Sequence, residues 1–202
     1  NHKIMNVIGR NSKSFIGGSA DLSSSTKAYL DDGTDFSSSN YRGSNIWFGV
    51  REFAMGAIAN GLALTGFKPF VSTFLVFSDY LKPAMRMSAL MNLPVTYIFS
   101  HDSITVGQDG PTHQPIEQLA MLRTIPNHDV YRPADARELV GSWDSILNSQ
   151  NPSSLILTRG NVPLLKNSNE LEAKKGAYIV RKEIGKLYAI IIATGSEVST
   201  AV

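Results

Sequence analysis

Glu52 is the side chain of this sequence best placed for acid–base chemistry. It lies in NIWFGVREFAMGAIANG, residues 45–61, where a short apolar strand over 46–50 runs into a helix packed with small residues. A carboxylate flanked by Val50, Phe53 and Met55 at that junction has two readings. It is a first-turn acid stabilised by the helix dipole, or an acid in an apolar pocket, where desolvation favours the protonated form and readies it for proton exchange. The local sequence leaves both open. Phe74, Phe77 and Tyr80, in STFLVFSDY, follow another strand. They are core aromatics, or a wall for a flat ring-shaped ligand, because aromatic faces stack on heterocycles. His101, Asp102 and Ser103 suggest a hydrolase triad. Adjacent residues of an extended chain point to opposite faces, however, and cannot line up as nucleophile, base and orienter. Asp109 and His113, in QDGPTH, put an acid and an imidazole on one tight loop, which reads equally as an Asx-type turn with an exposed histidine. Arg159, after SSLILT, could bind an anion or pair with a neighbouring acid. Asp21 stands in the Gly/Ser-rich GGSADLSSS. No HExxH pair, GxxxxGK loop or EF-hand spacing occurs, so no metal site is recognised.

These residues need elements to bring them together. Strands are predicted over 14–18, 46–50, 68–74, 94–100, 129–132 and 154–158. Helices are predicted from Glu52 past Leu62, over 78–91, over 115–123 and from Pro133 to about Asn148. Pro83 fits its helix only within the first turn or two. Residues 31–45 and 101–114 read as loops. Strands alternating with helices of about 10–15 residues indicate βαβ units, an α/β fold with a parallel sheet covered by helices on both faces. In such sheets ligands gather at the carboxyl ends of the strands. Asp21, Glu52, the stretch 74–80, the loop 101–113 and Arg159 all follow strands, so five strand ends should converge on one edge. Gly56 and Gly61 lie inside a helix, at about 1 kcal/mol each relative to alanine, which predicts that something needs the backbone close. The expected organisation is a domain over 1–160, a polar linker over 161–176, and the truncated start of a further α/β domain over 177–202, with strands at 178–180 and 187–193.

With 202 residues and 43% hydrophobic content, the chain can bury one good core. Net charge is +2, from 19 basic and 17 acidic residues, which gives no case for nucleic acid or an anionic membrane. The absence of cysteine removes disulfides, thiolate nucleophiles and cysteine zinc sites. Residues 1–13 contain no apolar core of a signal peptide, and no run approaches the about 18 apolar residues of a membrane span. A soluble, cytoplasmic protein is expected. The chain opens on Asn1 and stops within a strand–turn–helix, so it is expected to be a fragment of a longer protein.

The ordered set GGSADL, FGVREFAMGAIANG, STFLVFSDY, HDSITVGQDGPTHQP, YRPAD, LTRGN and ATGSEV closely resembles the transketolase family over nearly the whole chain, and HDSITVGQDGPTHQP is the most specific of these. The resemblance is to the middle, pyrimidine-binding domain, with the linker and the first strand of a C-terminal domain. It implies thiamine diphosphate as cofactor with Mg2+ or Ca2+, both anchored mainly by an N-terminal domain that this sequence lacks. Glu52 then matches the glutamate that hydrogen-bonds the ring nitrogen of the aminopyrimidine and promotes loss of the thiazolium C2 proton. That favours the apolar-pocket reading over the helix-dipole one. Phe74, Phe77 and Tyr80 match the aromatic wall against the pyrimidine, and Asp21 an acid near the cofactor. His101, Asp109 and His113 match groups that bind the donor ketose, the two histidines also assisting proton transfers. Ser25 and Arg159 match the mouth where the sugar phosphate docks. Phe53 and Gly160 depart from the family pattern, which has His in some relatives and Gln, respectively. The implied reaction is reversible transfer of a two-carbon ketol unit from ketose to aldose phosphates. The resemblance further implies a homodimer whose sites are shared between subunits, and that these residues alone are inactive and bind the cofactor weakly. Two other thiamine enzymes, dihydroxyacetone synthase and 1-deoxyxylulose-phosphate synthase, share the glutamate and the aromatic wall. A non-catalytic dimerisation module is the reading from a different class.

Overall fold

The computed structural model describes all 202 residues. The first helix, α1 (His2–Asn11), carries Ile4, Met5 and Ile8 at helical spacing and leads into strand β1 (Phe15–Ser19). Sequence reading had not predicted α1, nor the single turn α2 (Ser23–Thr26). Strands β2 (Asn45–Trp47), β3 (Lys68–Phe74) and β4 (Thr96–Ser100) alternate with helices α3 (Glu52–Leu64) and α4 (Ser78–Leu90). Then come α5 (Gln118–Arg123), β5 (Asp129–Tyr131), α6 (Ala136–Asn148) and β6 (Ser153–Ile156). Pro83 is the sixth residue of α4, in its second turn, where its missing N–H leaves the Asp79 carbonyl without its helical donor.

The six strands form one sheet in the order β2-β1-β3-β4-β6-β5, and every pairing is parallel. Parallel strands need crossovers, and the helices supply them on both faces. Alternation along the strands sends neighbouring side chains to opposite sides. Val71, Tyr97, Phe99 and Ile156 face α3, α4 and α5 through Met55, Met85 and Leu122. Phe15, Phe70, Ile98 and Leu155 face α1 and α6 through Met5, Trp143 and Ile146. The α/β fold with a doubly covered parallel sheet is therefore the one expected. No helix is long and apolar enough to cross a membrane.

Close backbone approach holds at one of the two helical glycines. A Cβ on Gly56 would meet Ala84 Cβ at 2.7 Å and Leu81 Cδ1 at 2.8 Å, so α3 packs on α4 only because position 56 is bare. Nothing within this chain lies within 4 Å of a Cβ built on Gly61, so no contact inside the chain needs that glycine.

Residues 161–176 are not a free tether. Asp135 caps α6 by accepting from the Arg137 and Glu138 amides at 3.0 and 3.1 Å. Its other oxygen accepts from the Leu165 amide at 2.9 Å and the Ser168 hydroxyl at 2.5 Å. A short helix, α7 (Glu170–Ala173), then lies against α6. The strands expected at 178–180 and 187–193 are absent: these residues are not hydrogen-bonded into any sheet, and Ile192 is 90% exposed. An apolar run has strand propensity, but a strand exists only where a neighbouring edge supplies its hydrogen bonds. The last helix, α8 (Glu197–Ala201), returns to the body and buries Val198 against Ala134 and Leu165.

Candidate functional site at the carboxyl edge of the sheet

Because all six strands run the same way, the residue groups singled out in sequence lie beyond the same edge. Asp21 follows β1, Glu52 opens the helix after β2, Phe77 and Tyr80 follow β3, His101–His113 follow β4 and Arg159 follows β6.

The strongest convergence is at β3 and β4. Phe74, the last residue of β3, is paired in register with Ser100, the last of β4. This sets the next residue, His101, over the Phe74 ring at 3.7 Å between centroids and 24° between planes. Phe77, on the 3-10 turn after β3, lies nearly parallel to Phe74 (6.0 Å, 13°), and Tyr80 continues the row (6.2 Å, 29° to Phe77). His113 comes back along the loop and stands edge-on to Phe77 at 5.3 Å. The row runs from buried Phe74 to Tyr80, 65% exposed, so it is neither all core nor all surface. It leaves a ladder of aromatic faces open at one end.

The two imidazoles are oriented alike. His101 Nδ1 is 2.9 Å from Ser100 Oγ and His113 Nδ1 is 2.8 Å from Thr112 Oγ1, and neither Nε2 has a partner within the chain. His101 takes a left-handed backbone, φ 60°. Burial, and next the positive charge of Arg159, hold its imidazole below the ordinary value, with Asp109 and Asp102 opposing. Arg159 and Asp109 therefore act on His101 through space, though neither touches it by a hydrogen bond. His101, Asp102 and Ser103 turn to three separate partners, Ser100, Arg132 and Thr105, so no triad forms.

Glu52 is the first residue of α3 and is only 8% exposed. Its carboxyl group has no hydrogen-bond or ion-pair partner in the chain, and the preceding Arg51 turns back to donate to the Phe48 carbonyl. The carboxyl oxygens are not among the sealed polar atoms without a partner, so the side chain is largely packed while its carboxyl end stays open to solvent or to a ligand. Asp21, with φ 63°, and Ser25, on α2, are exposed on the β1 side. No hydrogen bond or ion pair joins Glu52, Asp21 or Ser25 to the aromatic row. Sequence reasoning missed Ser100 and Thr112 as orienting hydroxyls. Each directly precedes its histidine, the signal by which they were discoverable.

The flat faces of Phe77 and Tyr80 and the unpaired carboxyl of Glu52 are the kinds of group that a flat nitrogen heterocycle would need. A metal ion does not fit these residues, because no three His, Asp or Glu side chains come together in a group that could hold one.

The family model described as the transketolase pyrimidine binding domain matches residues 1–164. The transketolase of Bacillus subtilis is 48% identical over 206 residues, covering 99% of this chain and 31% of that protein. That of Geobacillus stearothermophilus is 52% identical, with the same coverage of each. Among solved structures, a Pichia stipitis transketolase in complex with sedoheptulose-7-phosphate superimposes with a TM-score of 0.96 at 44% identity, over 99% of this chain and 31% of that one. The chain thus spans about a third of the length of the curated relatives it matches.

Proposed function

Since the chain belongs to the transketolase family through its pyrimidine-binding domain, we propose that it supplies the pyrimidine half of a thiamine diphosphate site for ketol transfer between sugar phosphates. The observation that carries this reading is Glu52, largely packed yet with a carboxyl that is free of protein partners and not sealed from a ligand, on the same sheet edge as the Phe74–Phe77–Tyr80 row. When bound, thiamine diphosphate would supply the electron sink that two-carbon transfer needs. The chain's own residues bind and orient. Glu52 holds a proton at a pyrimidine nitrogen, and Phe77 and Tyr80 stack on the ring. Asp21 lines the cofactor's approach. His101 and His113 offer their free Nε2 atoms to oxygens of the donor ketose and help its proton transfers, with Asp109 as a further sugar-binding group. Arg159, with its planar fork, and Ser25 take the sugar phosphate at the mouth. The relatives solved with sedoheptulose-7-phosphate and fructose-6-phosphate support a sugar phosphate as substrate class. The diphosphate and its Mg2+ or Ca2+ are held elsewhere, so these residues alone bind the cofactor weakly and do not turn over.

The partner is a second copy. Phe53, Ala57, Gly61 and Leu64 form an exposed stripe at helical spacing along α3. Leu90 and Met91, at the end of the neighbouring α4, are exposed as well. An apolar face of this kind is characteristic of an association surface.

The decisive measurement is Glu52→Gln in the intact protein that carries this chain. Turnover of a ketose-phosphate donor is expected to fall about 10²- to 10⁴-fold while thiamine diphosphate still binds. Undiminished turnover overturns the assignment.

A further inference from the structure

Arg132 stands where three parts of the chain meet. It directly follows β5 and reaches across the end of β6 to β4; its side chain is only 10% exposed. Its Nε and Nη2 both donate to Asp102 Oδ2, at 3.0 and 2.7 Å. On the other side, Nη1 donates to the backbone oxygen and Oγ1 of Thr194, at 2.9 and 3.1 Å, and pairs with Glu197 Oε2 at 2.6 Å. The backbone closes the same clasp, the Gly195 amide donating to the Arg132 carbonyl at 3.0 Å. Gly195 has φ +62°, and a Cβ on it would lie 2.8 Å from the guanidinium, so only glycine lets this turn wrap the arginine.

The near end of the clasp is next to the site. Asp102 follows His101, and its side chain is 1% exposed. One of its oxygens takes both arginine bonds, and the other is buried without a partner. The arginine is therefore all that anchors this carboxylate, and the carboxylate fixes the chain directly after the left-handed His101, whose ring lies on Phe74. An arginine fork can hold a carboxylate on one edge and a carbonyl, a hydroxyl and a second carboxylate on the other, which a lysine cannot.

We propose that Arg132 is a positioning residue that couples the seating of residues 194–201 to the orientation of the His101 ring, and so to the affinity for the ketose donor. This rests on the reading of His101 as a donor-binding group. A purely structural ion pair would stabilise the fold and leave donor affinity alone.

The test uses the intact protein and three variants. Glu197→Gln loosens only the far end of the clasp and leaves the Arg132–Asp102 pair in place; Arg132→Lys keeps a charge for Asp102 but loses the fork. Each is expected to raise KM for a ketose-phosphate donor about 3- to 30-fold, with thiamine diphosphate affinity by calorimetry unchanged. In a His101→Ala background, Arg132→Lys is expected to add nothing further to donor KM, because the two act as one unit. A lowered unfolding midpoint with unchanged donor KM in Glu197→Gln overturns the coupling, whether or not Arg132→Lys folds. So do additive effects of Arg132→Lys and His101→Ala. If His101→Ala itself leaves donor KM unchanged, it is the donor-binding reading of His101 that fails, and the coupling with it.

Discussion

At His128 burial outweighs the neighbouring charge of Asp129. The ring lies against Tyr97, with Nε2 2.7 Å from Ser154 Oγ and Nδ1 buried without a partner. Burial pushes its pKa down from 6.5 to about 4, with Asp129 opposing. His101 is depressed in the same direction, first by burial. A depressed histidine value means that the unfolded chain takes up the proton first. Stability is then fully present above about pH 6.5 and is lost as the pH falls towards 4. For His128 that separation corresponds to on the order of 3 kcal/mol. Urea midpoints measured between pH 4 and 7 are expected to fall with pH, and the fall is expected to flatten in His128→Gln. An equally steep profile in that variant would exclude His128 as its source. Glu52 differs: its side chain is largely packed, yet its carboxyl has no protein partner and is not sealed off.

Between elements, the contact that matters most is α3 on α4, because α3 opens with Glu52 and α4 opens beside the aromatic row. Gly56 permits the approach, and a buried polar chain fixes it. Asn60 Nδ2 donates to the Ala84 carbonyl at 3.0 Å, Ser88 Oγ donates to Asn60 Oδ1 at 2.6 Å, and Ser88 also bonds the Tyr97 hydroxyl. A satisfied buried network of this sort specifies one register between packed helices. The two helical glycines therefore predict opposite signs. Gly56→Val should destabilise the fold by about 1–3 kcal/mol through overpacking. Gly61→Ala, with no atom of the same chain within 4 Å of the added Cβ, should leave the α3–α4 packing intact and stabilise α3 by about 0.4–1 kcal/mol. Chemical unfolding of both variants checks the pair, and equal effects would mean that the α3–α4 spacing is not set at position 56.

On the scale of the whole molecule, one sheet edge carries the chemistry and one helix face is left apolar and open. Phe53 is exposed on that face. If a second copy covers it, a charge in the stripe should weaken association without disturbing the core, since the stripe is outside it. Leu64→Lys in the intact protein is expected to shift sedimentation from dimer towards monomer at micromolar concentration. A variant that remains wholly dimeric would move the interface to another face.

The sequence by itself determined the alternation of strands and helices and hence the parallel sheet, because side-chain periodicity and turn chemistry are local properties. It also determined that Asp21, Glu52, Phe77, His101 and Arg159 would share one edge, since parallel strands put all their carboxyl ends together. α3 and β3 were legible for the same reason, and α1, with Ile4, Met5 and Ile8 in helical spacing, was open to the same reading. Only the tertiary structure decided what depends on distant partners. Residues 187–193 carry strand propensity but meet no edge, so they form no strand. Gly56 meets Ala84 while Gly61, five residues on, meets nothing. Asp102 finds Arg132 thirty residues later, because the crossover through α5 sets β5 two strands away from β4, with β6 between them, within reach of an arginine.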